Sequence, residues 1–303
     1  MEISEATLAV LTTIIAGTIS FVTVTITLIF KPIADKWLHL YKVKTEHKYH
    51  QIKKVKETLA SRKVPLINSA DSLVKRLNSL IRRRSEKLHH VKGDYTNFKN
   101  EYFHTTVFRM LRFFALIKII EDELIFLDTT ITTKEDLFLI KYFKTIWDTL
   151  HSGPLLLGLT DNHSSGPDVI RRDKIDEMCE WMIKNGRVLS YKEYKSNAKK
   201  NIKSFKFLCE FLDGISPEEY RWRWDRLFSL HLVLMTFLNA YGYDFQRNDK
   251  KQIKKWIERQ NRYDVFPNLI AYIDQHKLEK EKHMKRLIKI LKSYNSEKPF
   301  QVN

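Results

Sequence analysis

TLAVLTTIIAGTISFVTVTITLIF, residues 7–30, carries no charged side chain, yet Lys31, Lys36 and Trp37 follow it at once. As one helix the uncharged run 6–30 reaches roughly 37 Å at 1.5 Å per residue, against a hydrocarbon core of about 30 Å. A membrane span with some tilt fits that length. A cleaved signal fits poorly: signals open on a basic segment, carry a shorter apolar stretch and end on small residues, whereas this chain opens MEISEA and leaves the run through FKPIADKW. The competing reading is a core helix of a soluble protein, and seven threonines between Thr7 and Thr27 favour it by lowering the apolarity. Threonine hydroxyls on a helix can donate to carbonyls of the preceding turn, so they cost little in lipid. The span is therefore the expectation.

The flanks give its direction. Glu2 and Glu5 precede the run, whereas Lys31, Lys36, Lys42 and Lys44 head a lysine-rich segment behind it, and lysines close to a span mark the cytoplasmic side. The expected placement is a single pass through the inner (plasma) membrane, with the N-terminus outside and the C-terminal domain cytoplasmic. Trp37 and Tyr41 fall where amphipathic rings sit among headgroups, although ordinary packing residues also lie one turn apart. The formal charge is +17. Residues 31–100 hold 18 Lys and Arg against 6 Asp and Glu, net +12, while residues 101–303 hold 35 against 28, net +7. An anionic inner leaflet attracts the nearest lysines by about 1 kcal/mol each within a Debye length. Arg82, Arg83 and Arg84 lie further along; such a cluster serves phosphate of any origin, or simply solvates a helix face.

Eight glycines and seven prolines in 303 residues are too few for the turns of a β protein. The expected fold class is all-α: one N-terminal transmembrane helix continuing into a basic stalk, then a cytosolic helical bundle. The expected divisions are 1–30 for the tail and span, 31–64 for the stalk, 65–294 for the helical domain and 295–303 for a flexible tail. Cys179 and Cys209 sit in apolar-periodic stretches and read as buried thiols in a reducing compartment.

Pro65 reads as the end of the stalk. Leu66, Ala70, Leu73, Val74, Leu77, Leu80 and Ile81 then mark one face of a helix that runs up to a break at Gly93. Residues 105–127 are apolar on more than one stripe and predict a central helix. Arg109, Arg112, Lys118, Glu121, Asp122 and Glu123 argue against a second span there, at about 2.5–3.5 kcal/mol for each charge at a bilayer centre. Thr132 with Glu135 predicts a capping box ahead of a helix facing inward through Leu137, Ile140, Phe143, Trp147 and Leu150. GPLLLGLTDNHSSGPD, 153–168, is the long loop. A short helix near 172–184, a turn at Asn185-Gly186 and a longer helix capped by Ser190 and Glu193 follow. Ser216, Pro217 and Glu219 form the clearest start signal in the chain, opening EYRWRWDRLFSLHLVLMTFLNAYG, with Gly242 as its stop. Of the two tryptophans in RWRW, one is expected to pack inward and the other to be partly exposed. Two helices near 249–261 and 268–294 complete the chain.

The sequence holds no phosphate-binding glycine loop, dinucleotide fingerprint, zinc-protease, dithiol or nucleophile-elbow motif. No cofactor or metal site is expected, and the adjacent His89 and His90, read on different helix faces, would need ligands from elsewhere. Arg226-Leu227-Phe228-Ser229-Leu230-His231 resembles the active-site signature of HEPN ribonucleases: an arginine, an apolar residue, three arbitrary residues and a histidine on a helix. That resemblance implies an all-helical, often dimeric ribonuclease, of a kind frequent in bacterial toxins and defence systems. His231 would move a proton at the 2′-hydroxyl while Arg226 holds the phosphate. Leu230, Leu232 and Leu234 around His231 equally describe a structural histidine.

The N-terminal run, VPLINSADSLVKRLNSLI, YFHTTVFRMLRFFALIKIIEDELIFLD and RWDRLFSLHLVLMTFLNAYG together resemble an uncharacterised bacterial family of single-pass, membrane-anchored helical proteins. The resemblance implies a tethered helical fold and no particular activity. The leading expectation is a non-enzymatic interaction or sensing module at the inner membrane, such as a bacterial defence effector would be. It touches an anionic leaflet and an unidentified protein partner, and it pairs with itself through Thr13-x-x-x-Gly17 and Ala16-x-x-x-Ser20. The alternatives are a tethered ribonuclease using Arg226 and His231, and a nucleic-acid binder using the basic 31–100 segment.

Overall fold

A computed structural model describes residues 5–125, 134–159, 168–219, 221–260 and 263–297. The protein is all-α, as expected, with a single two-stranded hairpin among the described residues. The chain divides into two compact units at Val55 and Lys56.

In the first unit, α1 (Glu5–Thr25) passes through a wide π turn (Ile26–Phe30) into α2 (Lys31–Arg82). Pro32 explains the turn. It has no N–H for the carbonyl four residues back and its ring collides with that carbonyl, so the backbone widens and Lys31 N–H donates to Ile26 O instead. The threonines behave as the sequence predicts: Thr13, Thr23, Thr25 and Thr27 each donate to the carbonyl four residues earlier at 2.8 Å. Thr12 and Thr18 divide their hydroxyls between two carbonyls. No hydroxyl of these six is left to demand water.

The second unit begins within α2. Pro65 does not break the helix: α2 continues through it to Arg82. The amphipathic stripe beyond supplies the reason, because Leu66, Ala70, Leu73, Val74, Leu77, Leu80 and Ile81 are all buried and packing outweighs one lost backbone bond. That helix stops at Arg82, eleven residues before Gly93, and His89 and His90 lie in the turns that follow rather than on a helix. Their rings meet edge to face at 4.8 Å.

α3 (Glu101–Ile125) is buried on several sides, as its apolar composition requires. It packs on α5 (Arg172–Met182), α6 (Tyr191–Ala198) and α7 (Lys206–Leu212). α4 (Lys134–His151) lies against α8 (Arg223–Tyr241) with a rotated face: Leu137 is 37 % exposed, while Leu139, Tyr142 and Ile146 join Phe143, Trp147 and Leu150 inside. The Thr132 cap falls outside the described residues, as do 160–167 of the long loop. Asn185 and Gly186, both at positive φ, turn the hairpin β1 (Ile183–Lys184) to β2 (Arg187–Val188). The Ser190–Glu193 capping box is present, but the helix it starts ends at Ala198 and resumes as α7 after a tighter 3₁₀ turn.

α8 begins at Arg223, not at Pro217. Ser216 and Glu218 bond each other in a separate turn, and Glu219 is drawn to Arg223 as an ion pair, so the expected capping residues serve other contacts. Gly242 stops α8 as expected. Where one C-terminal helix was expected there are two, α10 (Phe266–Gln275) and α11 (Lys282–Glu297), after α9 (Lys250–Ile257). Positive φ at Lys277 and the Glu281 cap over His283 and Met284 N–H divide them. Residues 295–297 belong to α11; 298–303 lie outside the described residues. Both cysteines are free and buried, and burial pushes each thiol upward, as inert core groups.

Candidate functional site

The apolar N-terminal segment meets the length and composition of a membrane span, and none of its apolar window is buried. Lys31, Lys36, Lys42 and Lys44 are exposed beyond it. Trp37 and Tyr41 are 72 % and 70 % exposed, so neither is a packing residue within this unit.

Arg226 and His231 both lie on α8, but a five-residue step turns about 140° round a helix, and the side chains diverge accordingly. Arg226 donates from Nη1 to Thr149 O on α4 at 3.3 Å. His231 meets the edge of Trp256 on α9, centroids 5.7 Å apart, and shares a void of about 10 Å³ with Leu77, Leu80 and Ile81 of α2. Both side chains are fully buried. Nε and Nη2 of Arg226 and both ring nitrogens of His231 have no hydrogen-bond partner among the described residues. Burial pushes the His231 imidazole down to about 3, which leaves it neutral at pH 7. Burial, opposed by Asp168 and Tyr272, lowers Arg226 to about 10. A general base must reach the proton it takes, and among the described residues the two side chains face different neighbours, Thr149 and Trp256.

The start of α8 is held by charges the sequence left unassigned. Arg221 Nε donates to Asp168 at 2.6 Å; Arg223 forks onto Glu219 and also reaches the carbonyls of Glu210 and Phe211. Trp224 is buried and donates to Gln260, which in turn donates to Asp225, while Trp222 is half-buried. One tryptophan inward and one partly exposed is the arrangement expected of RWRW.

Of the arginine cluster, Arg82 and Arg83 are exposed and Arg84 is half-buried. Arg83 forks onto Glu86 at 2.8 and 2.7 Å, and that bond raises the arginine and lowers the carboxyl. Arg84 donates to Arg259 O and faces Glu218 at 3.5 Å. Two of the three are thus committed to partners within the bundle.

A cleft of about 1050 Å³ was not among the expected sites. Its walls are the end of α8, the turn Asp244–Gln246, α9 and the first turns of α11. Lys250 and Lys254 of α9 face it, as do Lys282, Arg286 and Lys289 of α11, over apolar Ala240, Ile253 and Ile290. Two acids line it, and both are occupied. Asp244 pairs with Arg247 at 2.8 Å, and Asp249 caps α9 by accepting from Gln252 N–H at 2.6 Å. Burial lowers His283 on the same wall.

No family model matches the chain, and no curated protein or solved structure matches it significantly. The functional reading therefore rests on geometry and chemistry. No group of three or more His, Cys, Asp or Glu positioned to hold a metal occurs among the described residues.

The signal for the cleft was present in the sequence in two halves. Lys250 and Lys254 repeat at four residues, and Lys282, Arg286 and Lys289 repeat at four and three. Each set alone reads as a solvated helix face. Only the packing of the C-terminal helices turns both faces toward one space.

Proposed function

We propose that this protein is a single-pass membrane protein whose helical bundle works on the cytoplasmic side as an interaction or sensing module. One observation carries the reading: a charge-free apolar helix of spanning length has no buried window, in a chain whose other long apolar helices are almost wholly packed. Exposed apolar surface at that scale needs a covering, and lipid is the covering that matches its length. The threonine hydroxyls bonded to their own helix remove the main cost of placing them in hydrocarbon. Glu2 and Glu5 ahead of the apolar run and exposed lysines behind it support an N-terminus outside. Exposed Trp37 and Tyr41 suit the interfacial belt on the cytoplasmic side.

The ribonuclease reading draws no support from the buried, diverging Arg226 and His231. RNA incubated with the full chain and with His231→Ala tests it directly. For the membrane reading, cells expressing the full chain are lysed gently and fractionated: it should sediment with membranes, resist alkaline carbonate and dissolve in detergent. In spheroplasts the bundle should survive added protease until the membrane is opened. Recovery of the full-length chain as a soluble species without detergent overturns the reading.

A further inference from the structure

The 1050 Å³ cleft between α9 and α11 holds an uncompensated positive charge that the fold itself does not use. Lys250, Lys254, Lys282, Arg286 and Lys289 make no ion pair among the described residues, although four of them are exposed and Lys254 is half-buried. The nearby acids cannot supply one. Asp244 is held by Arg247, Asp249 by the α9 backbone, and Glu281 by Tyr142 and the N–H groups of His283 and Met284.

The cations are also placed against local preference. Lys250 and Lys282 open their helices directly behind the capping acids Asp249 and Glu281, whose carboxylates are taken up by backbone N–H groups. Lys250 with Lys254, and Lys282 with Arg286, stack like charges four residues apart, which weakens a helix. Local choices that oppose the fold and converge on one concavity indicate a ligand that reverses their sign.

The ligand's other half is read from the floor. Ala240, Ile253 and Ile290 offer apolar surface beneath the cationic rim. A multiply charged anion with a planar, apolar portion matches both features. The volume suits a ligand of that size, since small-molecule pockets run to about 1,000 Å³. We propose that this cleft binds a small organic polyphosphate of the nucleoside triphosphate class, its phosphates among the cations of α9 and α11 and its base over the apolar floor. The site lies wholly within the second unit and stands whether or not the first thirty residues enter a bilayer.

The test uses the full-length chain in detergent micelles, with a fluorescent ATP analogue read by polarisation and with tripolyphosphate and a single-stranded RNA as competitors. Saturable binding is expected, weakened by added salt, displaced by ATP more effectively than by tripolyphosphate and poorly by RNA. The Lys254→Glu/Arg286→Glu double variant should lose about tenfold or more in affinity with its thermal unfolding unchanged. If that variant fails to fold, Lys282→Ser and Lys289→Ser, at exposed positions, should each weaken binding about threefold. No saturable binding at low salt overturns the proposal. So does unchanged affinity in folded variants, or RNA binding that ATP does not displace.

Discussion

α1 and α8 are both long and mostly apolar, 21 and 19 residues, and they meet opposite fates. The apolar window of the N-terminal helix is wholly unburied, whereas every side chain of α8 from Arg223 to Asn239 is buried. Yet α1 has no charge beyond Glu5, while α8 takes Arg223, Asp225, Arg226 and His231 inside. Apolarity does not by itself bury a helix. α8 is buried with partners brought to its charged groups by the elements around it, Glu219 to Arg223, Gln260 to Asp225 and Thr149 to one nitrogen of Arg226. A uniformly apolar helix whose apolar window is not buried by the chain keeps that surface open, at a length that matches a bilayer core.

Charges placed on each helix should separate the two fates most sharply. Leu234→Asp puts an unpaired carboxylate at a fully buried position and should cost about 4 kcal/mol or more, unfolding the bundle in thermal melts. Ile14→Asp should leave that melt unchanged while opposing membrane insertion by about 2.5–3.5 kcal/mol, read as chain lost from the membrane fraction.

Within α8 the arginines should differ by the quality of their partners. Arg223→Met strands Glu219 and two carbonyls and should cost about 3 kcal/mol in denaturant unfolding. Arg226→Met removes a buried cation with a single long hydrogen bond, and the fold should keep its stability or gain.

Acid should act on the bundle through its buried histidines. Burial lowers His231 to about 3 and His89 to about 4, both below the unfolded value near 6.5. The unfolded chain therefore binds more protons below pH 6.5, and stability falls as pH drops from there toward the folded values. At pH 5 the loss should be about 2 kcal/mol for each histidine. Denaturant midpoints at pH 7 and pH 5 measure it, and His231→Leu should roughly halve the difference, leaving the share of His89. The smallest effect belongs to the surface: Arg83→Ser breaks an exposed pair with Glu86 and should leave the melting midpoint where it is.

The outcomes of the sequence reading follow the range of the forces involved. The α2 stripe from Leu66 to Ile81 was legible residue by residue, because helical periodicity is a local property. So were the threonine back-bonds, the Ser190–Glu193 box and the Gly242 stop. The start of α8 was misplaced because Glu219 had a stronger claim in Arg223 than in a cap, and the inward face of α4 turned once α8 lay against it. In the candidate sites, residue identity was legible and direction was not. Arg226 and His231 are five apart in any alignment of letters, and only their surroundings show that they part.

By itself the sequence determined an all-helical chain, an apolar segment long enough to cross a bilayer and the thiols' burial, since each depends on composition or on spacing within a few turns. The tertiary structure alone decided that His231 faces Trp256 rather than Arg226, and that the lysines of α9 meet the cations of α11 across one cleft. Those meetings join residues more than twenty positions apart, and the packing of whole helices against one another, which no local pattern encodes, sets the angle at which they face.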